Sequence, residues 1–209
     1  MDLYFAPLAC SMATRIALYE AGAQANFIQV DGKTKRLPDE GDFRAVNPLG
    51  QVPVARTEDG RLLTENSAVL QYVARRHPTA RLLGSEEELP WLQQWLGFVA
   101  TELHKGVFTP LFDANASEDA KAAARERSAA RLDILDRHLA CRDYLLGSFT
   151  VADAYLVAVL NWCRAVGIDL NGWPTVKTYF AKLRARPSVA RAMEEEGELY
   201  AAEQARKAA

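Results

Sequence analysis

Apolar residues follow two different rhythms along this chain. Leu3-Tyr4-Phe5-Ala6 is a short β-rich run. Ala13, Ile16 and Ala17 then lie at helical spacing between Ser11 and Ala21, with Gly22 as the stop, and Ile28 and Val30 share one face of a strand from Asn26 to Val30. A strand, a helix and a strand in about thirty residues predict a βαβ unit with parallel strands. A short helix near Asp42 to Val46 follows, then an apolar run at Val54-Ala55 that predicts a strand. Asp59-Gly60 predicts a two-residue hairpin turn with positive φ at both central positions. A helix to Arg76 then packs through Val69, Leu70 and Val73. Residues 1–77 therefore read as a βαβ–α–ββα domain with a mixed sheet, and residues 78–88, polar with Pro, Gly and three consecutive glutamates, as a linker.

From residue 89 onward strand-like alternation disappears. Helical patterns run near 89–113, 118–140, 150–166 and 174–186, with a short one near 188–196, so 89–209 is expected to be all-helical. Thr150 with Asp153 three positions on is an acidic variant of the capping box, and Ala154 to Leu160 is apolar all round, as a helix buried on every side must be. The Ala/Glu-rich tail from Glu198 to Ala209 is expected to fray.

Composition narrows the function classes. Hydrophobic content of 49% with 25% charge is globular, and no apolar run approaches the roughly eighteen residues of a membrane span. A net charge of −2 with interspersed signs excludes a nucleic-acid footprint, which needs a clustered basic surface. Cys10, Cys141 and Cys163 show no close pair and no metal-ligand spacing, so they read as thiols in a reducing compartment, with no metal expected and a cytoplasmic location.

Candidate chemistry collects around Asn47-Pro48-Leu49-Gly50-Gln51-Val52-Pro53-Val54. A cis Val52-Pro53 bond there would turn the Val52 backbone outward toward an extended ligand. Thr64-Glu65-Asn66-Ser67 starts a helix whose N-terminal N–H groups favour an anion, although helix capping is the ordinary role of Glu65 and Ser67. Lys33, Lys35 and Arg36 are either part of the same platform or a solvated loop. Cys10 enters a helix start, where a thiol is activated, or is simply a small buried hydrophobe. Further on, Leu92, Leu96, Val99, Leu103 and Val107 form a core stripe. Gln93, Gly97, Ala100, Thr101, His104 and Phe108 lie nearly opposite, so His104, with Lys105 beside it, faces either a groove or solvent. Trp91, Trp95 and Phe98 make a third face, which is more core or a partner-subunit surface.

Ala9-Cys10-Ser11, the Asn47 to Pro53 loop, Glu65-Asn66-Ser67, Glu102-Leu103-His104-Lys105-Gly106 and Phe149 to Tyr155 together resemble the cytosolic glutathione transferases of the bacterial beta class. The resemblance covers essentially the whole chain. It implies a thioredoxin-like N-terminal domain with an all-helical C-terminal domain, a homodimer, and glutathione as cosubstrate for small hydrophobic electrophiles, in detoxification, catabolism or redox repair. Carried over, it implies that the Val52 backbone pairs with the cysteinyl part of glutathione beside a cis Pro53, with Gln51 also among the glutathione-binding residues. Glu65 and Asn66 would hold its γ-glutamyl end and Lys35 its glycine carboxylate, with Ser67 and Lys105 also binding glutathione. Cys10 would lie beside the glutathione sulfur, with His104 and Lys105 reaching in from the helical domain. Ser11 would be a second candidate to activate the thiol, and Phe108, Leu111 and Phe112 would line the electrophile side. Asn66 stands where the family commonly has Ser or Thr, and Gly97 where beta-class members often have Asn. Glutaredoxin-like chemistry through Cys10 is a variant of the enzyme reading; a non-catalytic binding or assembly module on the same fold is the alternative.

Overall fold

The computed structural model describes residues 1–208. By packing, the chain divides into two compact units, Met1–Leu82 together with the last helix, and Leu83–Arg186.

In the first unit, strands β1 (Asp2–Phe5), β2 (Asn26–Gln29), β3 (Val54–Arg56) and β4 (Leu62–Leu63) form one sheet in the order β2-β1-β3-β4. β1 and β2 are parallel, with Leu3 opposite Phe27, and the other pairs are antiparallel. Helix α1 (Met12–Glu20) supplies the crossover and α2 (Asn66–Arg76) packs against it. One sheet face buries Tyr4, Val30, Phe43 and Val54 in a single cluster. The hairpin differs from expectation. Thr57 N–H donates to Arg61 O, so the loop is the three residues Glu58-Asp59-Gly60, with left-handed backbone at Gly60 (φ 82°).

The larger departure concerns the C-terminus. Helix α8 runs from Pro187 to Ala208, well past the short pattern near 188–196, and packs on α1 in the first unit, whereas the sequence division assigns it to the helical domain. Its inward positions include Val189, Ala192, Glu196 and Glu203. Two of the four are acids, so a stripe that is continuous in space is broken on a hydropathy reading. Arg15 on α1 explains why those acids turn inward. Its guanidinium lies over the rings of Phe27 (3.9 Å) and Phe5 (4.5 Å), is 4% exposed, and pairs with Glu196 (2.9 Å) and Glu195 (3.0 Å). Farther along, Glu203 accepts from Gln29 Nε2 at the end of β2, and Lys207 pairs with Asp31.

The second unit contains α3 (Leu89–Gly97), which continues directly into a π-helical stretch (Phe98–Phe108) and a short α4 (Thr109–Phe112), then α5 (Glu118–Leu139), α6 (Val151–Leu160) and α7 (Pro174–Arg184). α6 is buried at every position, as its sequence predicts. Its capping box is present, and Asp153 accepts from Thr150 N and Oγ1, Leu145 N and Tyr179 Oη (2.7–2.9 Å). Burial pushes the Asp153 carboxyl up, and those four donors work in the opposite direction. Of the aromatic face, Trp95 is core, its ring tilted against that of His138 with centroids 4.4 Å apart, while Trp91 is exposed. No helix among the described residues is long and apolar enough to cross a membrane.

If Glu196 carries the junction between α8 and α1, Glu196→Ala should cost about 3 to 5 kcal/mol, because it leaves a buried guanidinium with one partner fewer. Glu196→Gln keeps an acceptor and should cost about 1 to 3 kcal/mol. Urea unfolding at constant slope measures both; equal, small losses would show that the pair contributes little.

Candidate active site

Cys10 lies in the loop between β1 and α1. It is 7% exposed, and its Sγ donates to the Val52 carbonyl at 3.4 Å. The Val52–Pro53 bond is cis. Asn47, nearly buried, shapes the loop that delivers it: Nδ2 donates to Gln51 O (2.8 Å), Oδ1 accepts from Leu49 N, and Gly50 N donates to Asn47 O. Gly50 has φ 60°, and the aliphatic stem of Lys35 lies against it. Lys35 Nζ donates to Gly32 O (2.7 Å), and burial followed by the nearby Arg44 charge lowers its pKa.

Glu65 is exposed with left-handed φ (66°) directly before α2, an uncommon conformation for a non-glycine residue. Asn66, 6% exposed, accepts from Thr14 Oγ1 at 3.3 Å, which ties α2 to α1; its Nδ2 is buried with no partner among the described residues. Ser67 is half-buried. The first unit thus brings Cys10, Val52, Pro53 and the Lys35–Gly50 contact onto one loop system, with Glu65, Asn66 and Ser67 at the start of α2. Ser11 is not available as an activator. Its side chain is fully buried, and its hydroxyl exchanges hydrogen bonds with the Ala6 backbone, closing the loop beneath Cys10. Leu8 in the same loop has φ 58° and donates its N–H to Glu196 at 2.8 Å, so α8 also holds the shape of the thiol-bearing segment.

The second unit carries the other candidates. His104 is half-buried, with Nδ1 2.8 Å from the Tyr155 hydroxyl and its ring edge-on to Trp162 at 4.9 Å. Burial, then the charge of Lys105, lowers its pKa to about 4, so the ring is neutral near pH 7. Lys105 itself is exposed. Phe108 and Phe112 meet Trp162 at 5.5 and 5.8 Å; Phe112 is exposed and Leu111 half-buried. A wheel at 3.6 residues per turn puts Phe108 opposite the core stripe, yet it is 2% exposed. The wider turns of the π-helical stretch account for this by rotating later residues relative to a regular helix. Gly106 permits that geometry, since a Cβ there would sit 2.9 Å from Thr101 O. From α5, Arg127 donates to Gly106 O and Arg131 makes a two-point contact with Glu102, bracing the stretch.

Sequence reasoning missed Tyr155 and Trp162 as site residues. Their seven-residue separation was the available signal, hidden because Tyr155 lies in the apolar run Ala154 to Leu160 and Trp162 just beyond it. Cys141 is exposed and Cys163 buried, with burial pushing the Cys163 thiol up to about 12. Among the described residues no group of three or more His, Cys, Asp or Glu side chains is placed to hold a metal ion.

The family models for the N-terminal and C-terminal domains of glutathione S-transferase match residues 9–76 and 98–187. The chain is 39% identical over 200 residues to glutathione S-transferase GstA of Escherichia coli O157:H7, covering 94% of this chain and 99% of the relative. Among solved structures, a sphingomonad glutathione S-transferase complexed with glutathione is 41% identical with a TM-score of 0.88, covering 94% of this chain and 99% of that one. A bacterial beta-class enzyme from Sphingomonas chungbukensis is 39% identical with the same TM-score and the same coverage.

A pKa lowered from 6.5 to about 4 makes a prediction for His104. As pH falls below 6.5 the unfolded chain takes up a proton that the folded ring refuses until about 4, so stability is lost across that window. His104→Gln should flatten this part of the stability profile. Identical slopes for the native protein and the variant would show that the ring titrates normally.

Proposed function

The chain belongs to the glutathione S-transferase family and is a glutathione transferase of the bacterial beta-class kind; on that premise we propose how its residues divide the reaction. The observation that carries the proposal is the Cys10 thiol resting on the Val52 carbonyl beside a cis proline. A thiol peptide laid along Gln51, Val52 and Pro53 would form strand-like hydrogen bonds there and bring its own sulfur to Cys10. The start of α2, with Glu65, Asn66 and Ser67, would take the γ-glutamyl end, and the buried Asn66 amide supports this because it has an N–H to offer. Lys35 would meet the glycine carboxylate.

The helical unit would serve the electrophile. Phe108, Leu111, Phe112 and Trp162 offer an apolar, largely aromatic wall suited to a small hydrophobic substrate. Neutral His104 would act there as a hydrogen-bonding group, and Lys105 as the local positive charge. The glutathione thiolate attacks the electrophilic carbon, the C–S bond forms, and the leaving group departs with the bonding pair. Cys10 also suits a monothiol exchange. Its thiolate would attack a glutathione mixed disulfide, release the substrate thiol, and be freed by a second glutathione with formation of oxidised glutathione. A cytoplasmic homodimer acting in detoxification completes the reading.

Calorimetric titration of reduced glutathione into the native protein and into Cys10→Ala should show binding by both. Conjugation of an aryl halide should survive Cys10→Ala within about tenfold while disulfide reduction is lost, and His104→Ala should lower kcat about tenfold or more with KM for glutathione unchanged. Binding without turnover of any electrophile or disulfide would instead support a binding or assembly module, and failure of the native protein to bind would overturn the assignment of the Val52 platform.

A further inference from the structure

His104 sits on a helical stretch of irregular pitch, yet its partner sits on a helix buried at every position. Tyr155 is 2% exposed and lies on α6, whose residues are all buried. Two residues before Tyr155, Asp153 fixes the start of α6 through four hydrogen bonds to Thr150, Leu145 and Tyr179. The Tyr155 hydroxyl is therefore placed by the fold, and it lies 2.8 Å from His104 Nδ1.

We propose that Tyr155 is a positioning residue for His104: by occupying Nδ1 it fixes the plane and the tautomer of the imidazole and leaves Nε2 as the one nitrogen available to the reaction. This rests on the assignment of His104 to the transfer reaction above. A histidine ring has a broad, roughly two-fold torsional preference, and turning it over exchanges Nδ1 with a carbon. Here that exchange would break the contact to Tyr155. It would also disturb two edge-on packings, to Tyr155 (90°, 6.1 Å) and to Trp162 (69°, 4.9 Å). Because burial and Lys105 keep the ring neutral, only one of its nitrogens carries a proton near pH 7. Which one is set by the hydrogen bond that the other nitrogen makes. A phenol is a better donor to an imidazole nitrogen than it is an acceptor from one, so the Tyr155 O–H donates to Nδ1 and the ring proton stands on Nε2 before any substrate arrives.

Long-range proton–nitrogen correlation spectra of protein labelled with 15N-histidine read the tautomer directly, with His104→Gln identifying the signal. The native protein without ligands should show His104 in one tautomer, and Tyr155→Phe should show both in exchange. In the same variant kcat should fall about three- to tenfold, the equivalent of one net hydrogen bond, with KM for glutathione unchanged. A mixture of tautomers in the native protein overturns the proposal without any variant having to fold. It is equally overturned if Tyr155→Phe keeps the native tautomer, or loses it with turnover unchanged. Unchanged turnover in His104→Ala strikes at the role of His104 in transfer and leaves the tautomer result standing, so the two failures are distinct.

Discussion

A guanidinium cannot be left unpaired inside a protein, and much of the first unit follows from placing Arg15 there. Its planar charge lies over Phe5 and Phe27, which ties it to β1 and β2, and its hydrogen bonds reach Glu195 and Glu196 on α8. Burying a charge without a partner costs several kcal/mol, so the last helix is needed where it lies. The two acids share one cation and respond oppositely. Burial pushes the Glu196 carboxyl up to about 7 against the pull of Arg15, while for Glu195 the upward effect of burial is outweighed by hydrogen bonds from Tyr19 and Arg191. Glu196 uses its second oxygen on Leu8 N–H. One electrostatic requirement arising on α1 therefore fixes both the C-terminal helix and the loop that presents Cys10.

The helical unit solves an analogous problem with a carboxylate. Asp153 is fully buried and is satisfied by four neutral donors, two of them backbone N–H groups. Because it lies two residues before Tyr155, the same bonds that start α6 set the position of the hydroxyl that meets His104. Rigidity in α6 complements irregularity in the stretch Phe98–Phe108, where Gly106 and the α5 arginines permit and brace the wider turns.

The candidate site combines groups that are costly to bury with backbone that is costly to bend. Glu65 and Leu8 both adopt left-handed backbone without being glycine, and each flanks a group assigned to ligand binding or chemistry. Such conformations persist only when surrounding contacts over-determine them. For Leu8 the contact is Glu196; for the segment after Glu65 it is the Thr14–Asn66 hydrogen bond.

The sequence by itself determined the order of elements, the mixed sheet, the capping box at Thr150 and Asp153, and the loop with its cis proline. These depend on residues close in the chain, whose turn chemistry and periodicity are local properties. It also named Cys10, Val52, Glu65, Asn66 and His104, because a short motif carries them. Tertiary structure alone decided the rest. The destination of α8 was hidden because two of its inward residues are acids, whose burial makes sense only once Arg15 is seen opposite. The burial of Ser11 and of Phe108 was not legible either, because what a hydroxyl bonds and how a helix is pitched are set by packing, not by spacing. Tyr155, inside an apolar run, and Trp162, just past the end of α6, could not be singled out until His104 was found against them. Pairings across many residues are fixed by burial and charge balance in three dimensions, and no window of sequence contains both partners.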